Sequence, residues 1–497
     1  EVLGALVWAV IAFTCVLRIV VIWGSFFWQD DYIHIWTAWN APASDLIGQN
    51  WNGHREPASF AIQWVLARFA PQVWWPAAVV LCLIAVMTTV GFWLMVKRWA
   101  GVTPASAAAA ILFAAWPATM MPQAWLSAGL ETVPLVLMFA AGWLLASPRS
   151  WTPWAVGGLA VLAWLFHERA VYFLPVLLAI AVFFGGVRKN RASWWVLAAV
   201  TAGALILRAV DDLPGRAGGA SVPGALWSAG PGSLLRSVLG WLPYEARTPV
   251  PVNAGLWAVA VLVVWMILLL IGLSTAPRHT ALVAAVVAGF LVVEVLSFVW
   301  LRGGFAGGGL AADPRFTLIT GMVLLAGLAS FAIAWRPVVW VAAALALVGC
   351  WSIWRMSLPE DPGRAWLASA RQARGDLAPT PSPPAMLAHF FFTTQPPVYE
   401  LGTTRTLLQV GAQPPAFPER TTRPVQVDAS GQPGPMVFTP LVVSDGRQCG
   451  RVQVPAFDAG VRVVRVGQEY VFPPPGPIAD IAIAGCVNTV EVGIPGR

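Results

Sequence analysis

Between residue 3 and Met356 the chain repeatedly runs for some twenty residues with scarcely a charge. A bilayer's hydrocarbon core is roughly 30 Å thick, and a helix rising 1.5 Å per residue needs about twenty apolar side chains to cross it. Runs of that kind lie near 3–25, 74–96, 105–119, 131–147, 153–167, 170–186, 194–210, 254–273, 281–301, 317–335 and 338–356, about eleven in all. The third and fifth are short and need help from neighbours or a partly re-entrant course. Composition agrees: 58% of the 497 residues are hydrophobic and only 11% are charged, against about a quarter in soluble domains. Mean hydropathy is +0.70. The 29 Trp suit membrane interfaces, where an indole buries its ring and keeps its N–H wet. The first run is of span length and lacks a small-residue cleavage pattern, so it is expected to stay as a span.

Orientation follows from the loops. With a cytoplasmic N-terminus, the inside loops are "VKRWAGVTP", "SPRSWTP", "GVRKNRAS", "STAPRHT" and "WRP". Each carries Arg or Lys, none carries Asp or Glu, and both Lys of the chain, Lys97 and Lys189, are among them. This obeys the positive-inside rule, and the reverse orientation breaks it throughout. The net charge of +7 is therefore explained without nucleic acid as a partner. The sequence reads as a multi-pass plasma-membrane protein with long outer loops near 26–73, 211–253 and 302–316. The first of these holds two amphipathic pieces, "DDYIHIWTAW" and "REPASFAIQWVLARFAP", of the kind that rest in the interface plane.

Beyond the membrane region (1–356) the composition changes twice. Residues 357–423 are rich in Pro, Arg and Ala, with one helix expected at "GRAWLASARQAR", and form a membrane-proximal linker. In 424–497, Val and Ile at period two, punctuated by Gly, Asp and Pro, indicate antiparallel strands and a small extracytoplasmic β-sandwich-like domain. Cys449 and Cys486 lie there and can pair in an oxidising compartment, whereas Cys15, Cys82 and Cys350 sit in apolar runs as small packed hydrophobes. The fold class is a mainly α-helical polytopic membrane protein with this β-rich appendage.

Ionisable residues are scarce enough to be noticed singly. Asp30 and Asp31 stand where the first run ends, behind the aromatic cluster Trp23, Phe26, Phe27 and Trp28. His34 follows on the same helical side. The pair either marks the end of a span or takes a proton from a hydroxyl, and Asp31 with His34 are the ligands if a divalent cation is used. In "NWNGHREP", His54, Arg55 and Glu56 occupy a turn, and an imidazole beside a guanidinium suits a phosphate. In "LFHERAVYF", His167, Glu168 and Arg169 separate two apolar runs where a tight hairpin needs Gly or Asn, so a functional cavity is the expected reason. In "GGFAGGGLAADPRFTL", Asp313 and Arg315 stand at the mouth of the next span, with Arg315 at the level of a lipid phosphate. Arg18 and Glu294 fall inside apolar runs and are expected to pair with each other. No Walker loop, dinucleotide glycine fingerprint, CxxC or HExxH is present, which argues against a nucleotide-driven pump.

An acidic pair after the first span, a long first loop, about eleven spans and an outer C-terminal domain together resemble the GT-C superfamily of polytopic membrane glycosyltransferases. The phrases "QDDYIHIW", "NWNGHREP" and "ADPRFT" resemble an uncharacterised actinobacterial branch of it. The resemblance covers roughly 1–356. It implies a sugar carried on polyprenyl phosphate, with a glycan, lipoglycan or protein of the cell envelope as acceptor. Asp30 or Asp31 would match the first-loop general base, and attack at the anomeric carbon would expel the lipid phosphate with inversion. His54, Arg55, Arg169 and Arg315 would bind the donor phosphate. His34, Glu56, Glu131, His167, Glu168 and Asp313 would position substrates. Glu131 alone answers to the second-loop acidic residue of several such families, in a loop shorter than theirs. Some branches use a divalent cation and others no cofactor. Two other classes stay open: a transporter or flippase of a lipid-linked saccharide, and a non-catalytic glycan-binding scaffold. A transporter places its polar groups near the midplane, whereas here they gather at the outer surface.

Overall fold

A computed structural model describes residues 1–28, 30–50, 54–209, 221–241, 255–306, 313–331, 337–356, 362–373, 375–379, 404–410, 417–428, 430–455, 463–472 and 478–495. In chain order the first helices are α1 (Val2–Gly24), α2 (Asp30–Asn40), α3 (Ala43–Ile47), α4 (Pro57–Phe69), α5 (Trp74–Ala100), α6 (Pro104–Ala114) and α7 (Met120–Gln123). They continue as α8 (Leu126–Leu130), α9 (Val133–Leu145), α10 (Thr152–Phe166), α11 (Phe173–Phe183), α12 (Arg191–Ala209), α13 (Val222–Ala229) and α14 (Leu235–Val238). The last are α15 (Gly255–Thr275), α16 (Pro277–Ala306), α17 (Leu318–Ala329), α18 (Pro337–Trp354), α19 (Pro362–Ala370) and α20 (Thr404–Leu408). The chain divides into two compact units. One comprises Glu1–Ser25, Gly48–Ser59 and Ala77–Leu358; the other comprises Phe26–Ile47, Phe60–Pro76 and Pro359–Arg497.

Six helical segments of the described residues are long and apolar enough to cross a membrane: Val2–Gly24, Trp74–Ala100, Leu126–Leu145, Val187–Leu207, Pro277–Val299 and Pro337–Trp354. Four of the other expected runs carry shorter apolar helices, within Pro104–Thr119, Thr152–Phe166, Val259–Thr275 and Arg315–Ala329. The run at 170–186 carries the 11-residue α11. Part of the outer loop expected at 211–253 is helical instead. Ala225 and Ala229 of α13 pack on Val295 and Phe298 of α16, and Ser237 of α14 accepts the Trp116 indole N–H at 2.9 Å. Gly303 and Gly304 extend α16, and the glycines at 307–309 lie outside the described residues.

Helix α6 lies at the centre of the first unit, with nine of its eleven residues buried. Its start is set by sequence: Thr103 Oγ1 accepts the Ser106 N–H at 3.1 Å, Ser106 Oγ accepts the Thr103 N–H at 2.9 Å, and Pro104 takes the first turn. Its alanines allow neighbouring backbones close. A Cβ on Gly349 of α18 would come within 2.2 Å of the Ala115 carbonyl oxygen, so glycine is required there. Val7 and Ile11 of α1, Trp93 of α5 and Ala342 of α18 complete this core.

The last carbonyls of a helix have no partner within it. Arg18, buried in α1, supplies one to α6: its guanidinium donates to the carbonyls of Ala114 at 3.1 Å and Trp116 at 2.9 Å, and to Gln123 Oε1 at 2.7 Å. The expected Arg18–Glu294 pair is therefore not what forms. Glu294 accepts instead from the N–H of Thr320 at 3.1 Å and from its hydroxyl. Each charge finds hydrogen-bond partners nearer at hand, which satisfies a buried ion better than one long-range counter-charge.

In the second unit, Asp31 is wholly buried and accepts the Trp28 N–H at 3.1 Å, while its own N–H donates to the Trp28 carbonyl at 3.1 Å. This reciprocal pair closes the start of α2 as a capping box does. His34, one turn on, donates from Nδ1 to Gln63 Oε1 of α4 at 2.5 Å and meets the Phe60 ring edge-on at 5.2 Å. Both residues thus hold α2 in place, and the proposed Asp31–His34 cation pair finds these side chains engaged in packing. Burial pushes the His34 imidazole below its ordinary value, against opposing pulls from Asp30 and the Gln63 bond. The unfolded chain then binds the proton more readily than the folded one. Stability from this contact is complete above about pH 6.5 and is lost as the pH falls below it. The protection factors of the amides over 30–40, taken after the intrinsic pH dependence of exchange is divided out, are accordingly expected to fall on acidification in the wild type, with His34→Gln flattening the response.

Among the described residues, the C-terminal region forms two sheets. β1 (Asp376–Leu377), β2 (Arg420–Thr421), β3 (Pro424–Val427), β4 (Pro433–Pro435), β5 (Phe438–Pro455), β6 (Val463–Val466), β7 (Glu469–Val471) and β8 (Ile478–Pro495) follow in order. One sheet has the order β1-β3-β4, with β1 and β3 parallel; the other is antiparallel, in the order β2-β7-β6-β8-β5. Because β1 and β2 precede residue 424, the expected linker contributes strands to both sheets. Period-two valines and isoleucines, including Val464, Val466, Ile481, Val490 and Val492, form the core of the larger sheet. A two-residue turn joins β6 to β7, with Gly467 at φ +63°. The expected Cys449–Cys486 disulfide is present, across directly opposed positions of β5 and β8. It closes a separation of 37 residues. Replacing both cysteines with serine is expected to cost this hairpin about 3–4 kcal/mol, read as loss of the reductant-sensitive component of thermal unfolding.

Candidate active site in the helical unit

Two interruptions between helices bring the ionisable residues together. The first follows α10, where His167 leaves helical geometry at φ −168° and ψ 144°. Its Nδ1 accepts the Arg169 N–H at 2.9 Å and caps the 3-10 turn Glu168–Tyr172. An imidazole accepting through Nδ1 carries its proton on Nε2 and donates from there. That nitrogen lies 3.3 Å from Glu56 Oε1 and 3.5 Å from Glu131 Oε2. The second interruption separates α8 from α9 and leaves Glu131 between them, with Oε2 3.5 Å from an Arg169 terminal nitrogen.

The first loop supplies the third side. Ser59 Oγ donates to the Phe166 carbonyl at 2.8 Å, which fixes the start of α4 beside the end of α10. His54 then donates from Nδ1 to Glu168 Oε1, with the His54 and His167 rings 5.4 Å apart. Arg315 supplies the fourth. Asp313, wholly buried, accepts its backbone N–H at 2.9 Å and its guanidinium at 2.8 and 2.7 Å. The guanidinium also lies over the Trp125 ring, 4.8 Å from its centroid. Asp313 therefore aims Arg315 rather than touching a substrate.

These groups line one cavity of about 220 Å³. His54, Glu131, His167, Glu168, Arg169 and Arg315 form its charged part, and Tyr172, Glu294 and Ser297 a second polar part. Trp164, Leu205, Phe298 and Phe316 give it apolar walls. Of the carboxylates in or beside it, Glu131 and Glu168 are reachable, at 20% and 21% side-chain exposure, while Glu56 at 7% is enclosed. The pattern suits a ligand with an anionic group, hydroxyls and an apolar portion.

The sequence-derived candidates thus separate. His54, Glu131, His167, Glu168, Arg169 and Arg315 share the cavity, with Glu56 and Asp313 holding members of it. Arg55 is exposed and does not line it. Asp30, Asp31 and His34 belong to the other unit, where Asp30 is partly exposed. Sequence reasoning missed Tyr172, Ser297 and Trp125, and gave Glu294 a structural role only. Glu294 did carry a signal, as a charge within an apolar run; Tyr172 and Ser297 carried none. No protein-family model matches this chain, and no curated protein is significantly similar to it.

Proposed function

We propose that this protein is a membrane glycosyltransferase that takes a sugar from a polyprenyl-phosphate carrier. It passes the sugar to a glycan, lipoglycan or protein acceptor on the extracytoplasmic face. The observation that carries this reading is the convergence of two guanidinium groups, reachable carboxylates and aromatic walls on one cavity in an apolar helical unit. Arg169 and Arg315 take the donor phosphate and stabilise the negative charge that grows on it as the glycosidic bond breaks. Glu131 stands beside Arg169, and Arg315 is the other guanidinium close enough to act on it. Once a phosphate occupies both guanidiniums, Glu131 loses its cationic neighbours to the ligand and becomes available to take the acceptor hydroxyl's proton. Attack from the face opposite the phosphate inverts the anomeric carbon. Tyr172, Glu294 and Ser297 offer donors and acceptors to sugar hydroxyls, and the aromatic walls cover its apolar face.

The same reading includes eleven spans, a cytoplasmic N-terminus and an extracytoplasmic β-sandwich-like domain that orients the acceptor. The basic inner loops support the orientation, and the Cys449–Cys486 bridge supports an oxidising environment for the β-rich region. The test is envelope glycan and linkage analysis in the native host, comparing wild type, a deletion and Arg169→Ala/Arg315→Ala with membrane levels matched. The double variant should lack the glycan that the deletion lacks. A variant with a complete envelope beside a defective deletion would sink the catalytic reading. Glu294, within a helix long enough to span and lining the same cavity, favours a second reading as a flippase of lipid-linked saccharide. That reading expects lipid-linked sugar to accumulate on the inner leaflet in the deletion.

A further inference from the structure

The transfer chemistry above assigns no step to His54, Glu56 or Glu168, yet these residues come together from chain segments more than a hundred positions apart. Ligand atoms of His54, Glu56, His167 and Glu168 all lie within 4.8 Å of one another. His54 Nδ1 is 3.9 Å from Glu56 Oε1 and in hydrogen-bond contact with Glu168 Oε1. Two carboxylates at this separation repel each other, and a divalent cation between them offsets both charges.

The four residues are not equivalent. Because His167 Nδ1 accepts the Arg169 N–H, its Nε2 bears the proton and has no lone pair for a metal. That N–H instead faces Glu56 Oε1 at 3.3 Å, the position of an outer partner that orients a ligating carboxylate. One imidazole nitrogen and two carboxylates remain as direct ligands. A divalent cation takes the place of the proton that His54 Nδ1 shares with Glu168, and that proton moves to the other ring nitrogen. The His167 proton, by contrast, is fixed on Nε2 as long as Nδ1 accepts from Arg169. Mg²⁺ and Ca²⁺ favour all-oxygen sites, whereas a mixed nitrogen and oxygen set suits Zn²⁺ or Mn²⁺. Three protein ligands leave coordination positions open, as in sites where a metal meets substrate. His54 and Glu168 both line the cavity, so those positions face it.

We propose that His54, Glu56 and Glu168 bind one Zn²⁺ or Mn²⁺ ion at the cavity wall, with His167 holding Glu56 from outside the coordination sphere. The site stands on its donor set and does not depend on the transfer reading, so either can fail without the other. The test uses the full chain, purified without a polyhistidine tag, reconstituted in nanodiscs and stripped with a chelator. Titration with Zn²⁺, Mn²⁺, Mg²⁺ or Ca²⁺, followed by elemental analysis and thermal unfolding, reads stoichiometry, affinity and stabilisation. One Zn²⁺ or Mn²⁺ per chain is expected, with a higher Tm. His54→Ala and Glu168→Gln should each weaken binding by about 100-fold or more, while His167→Gln, whose amide can still donate to Glu56, should lose about 10-fold. Since either ligand variant could misfold, each is scored only where its metal-free Tm matches that of the stripped wild type, and wild-type uptake is decisive by itself. A stripped wild type that takes up no ion, or prefers Mg²⁺ or Ca²⁺, overturns the proposal. Unchanged binding in a folded His54→Ala/Glu168→Gln chain does so too. If His167→Gln abolishes binding as completely as His54→Ala, His167 is a direct ligand and its assigned role fails.

Discussion

Glu131→Gln is expected to lower turnover of the lipid-linked donor by about 10²–10⁴-fold, the range for removing a general base, with the donor KM little changed. The amide keeps the shape and still accepts from Arg169 and His167, both 3.5 Å away, so the cavity should survive. Arg315→Ala should act differently. It removes charge stabilisation at the departing phosphate, worth about 10²–10³-fold in kcat, and weakens donor binding as well. Arg315→Lys should recover little, because a lysine cannot reproduce a guanidinium that is held by Asp313 through two nitrogens and stacked on Trp125. The comparison is made by single-turnover transfer from purified lipid-linked donor in nanodiscs. If Glu131→Gln turns over normally, the proton goes elsewhere and the role assigned to Glu131 fails.

The largest expected effect on stability lies away from the cavity. Arg18→Ala removes a buried cation that serves the carbonyls of Ala114 and Trp116 and the side chain of Gln123. Leaving those acceptors without a donor in an apolar interior should cost about 3–5 kcal/mol, read from reversible unfolding in mixed micelles. Arg18→Lys should restore only part of this, since a single ammonium cannot span the three acceptors. The double variant Arg18→Ala/Glu294→Gln tests the replaced expectation directly. Because the two charges have separate partners, their effects should add within about 0.5 kcal/mol. A coupling well beyond that would show that they interact after all.

Much of this protein can be read from residue order alone, wherever the cause is local. Twenty apolar residues in succession determine a long apolar helix, period-two valines determine strands, and Thr103-Pro104 determines the start of α6. The run His167-Glu168-Arg169 was legible for a related reason: three ionisable residues between apolar helices cost too much unless a cavity receives them. Glu131 was visible as a lone acid, and the Cys449–Cys486 bridge as the only two cysteines of a polar region.

What tertiary structure decided is which partner each charge takes. Local sequence cannot say that the orphan carbonyls at the end of α6 lie within reach of Arg18, about a hundred positions earlier. Nor can it say that Thr320 offers two donors to Glu294, or that Asp31 turns back to close its own helix. Buried polar groups are bound by the nearest group of suitable geometry, and nearness across a membrane bundle is set by helix packing rather than by position in the chain. The same holds for His54 and Glu168, whose contact joins segments 114 residues apart. Sequence determined that the chain would be helical, apolar and sparing with charge; packing determined which of those few charges would meet.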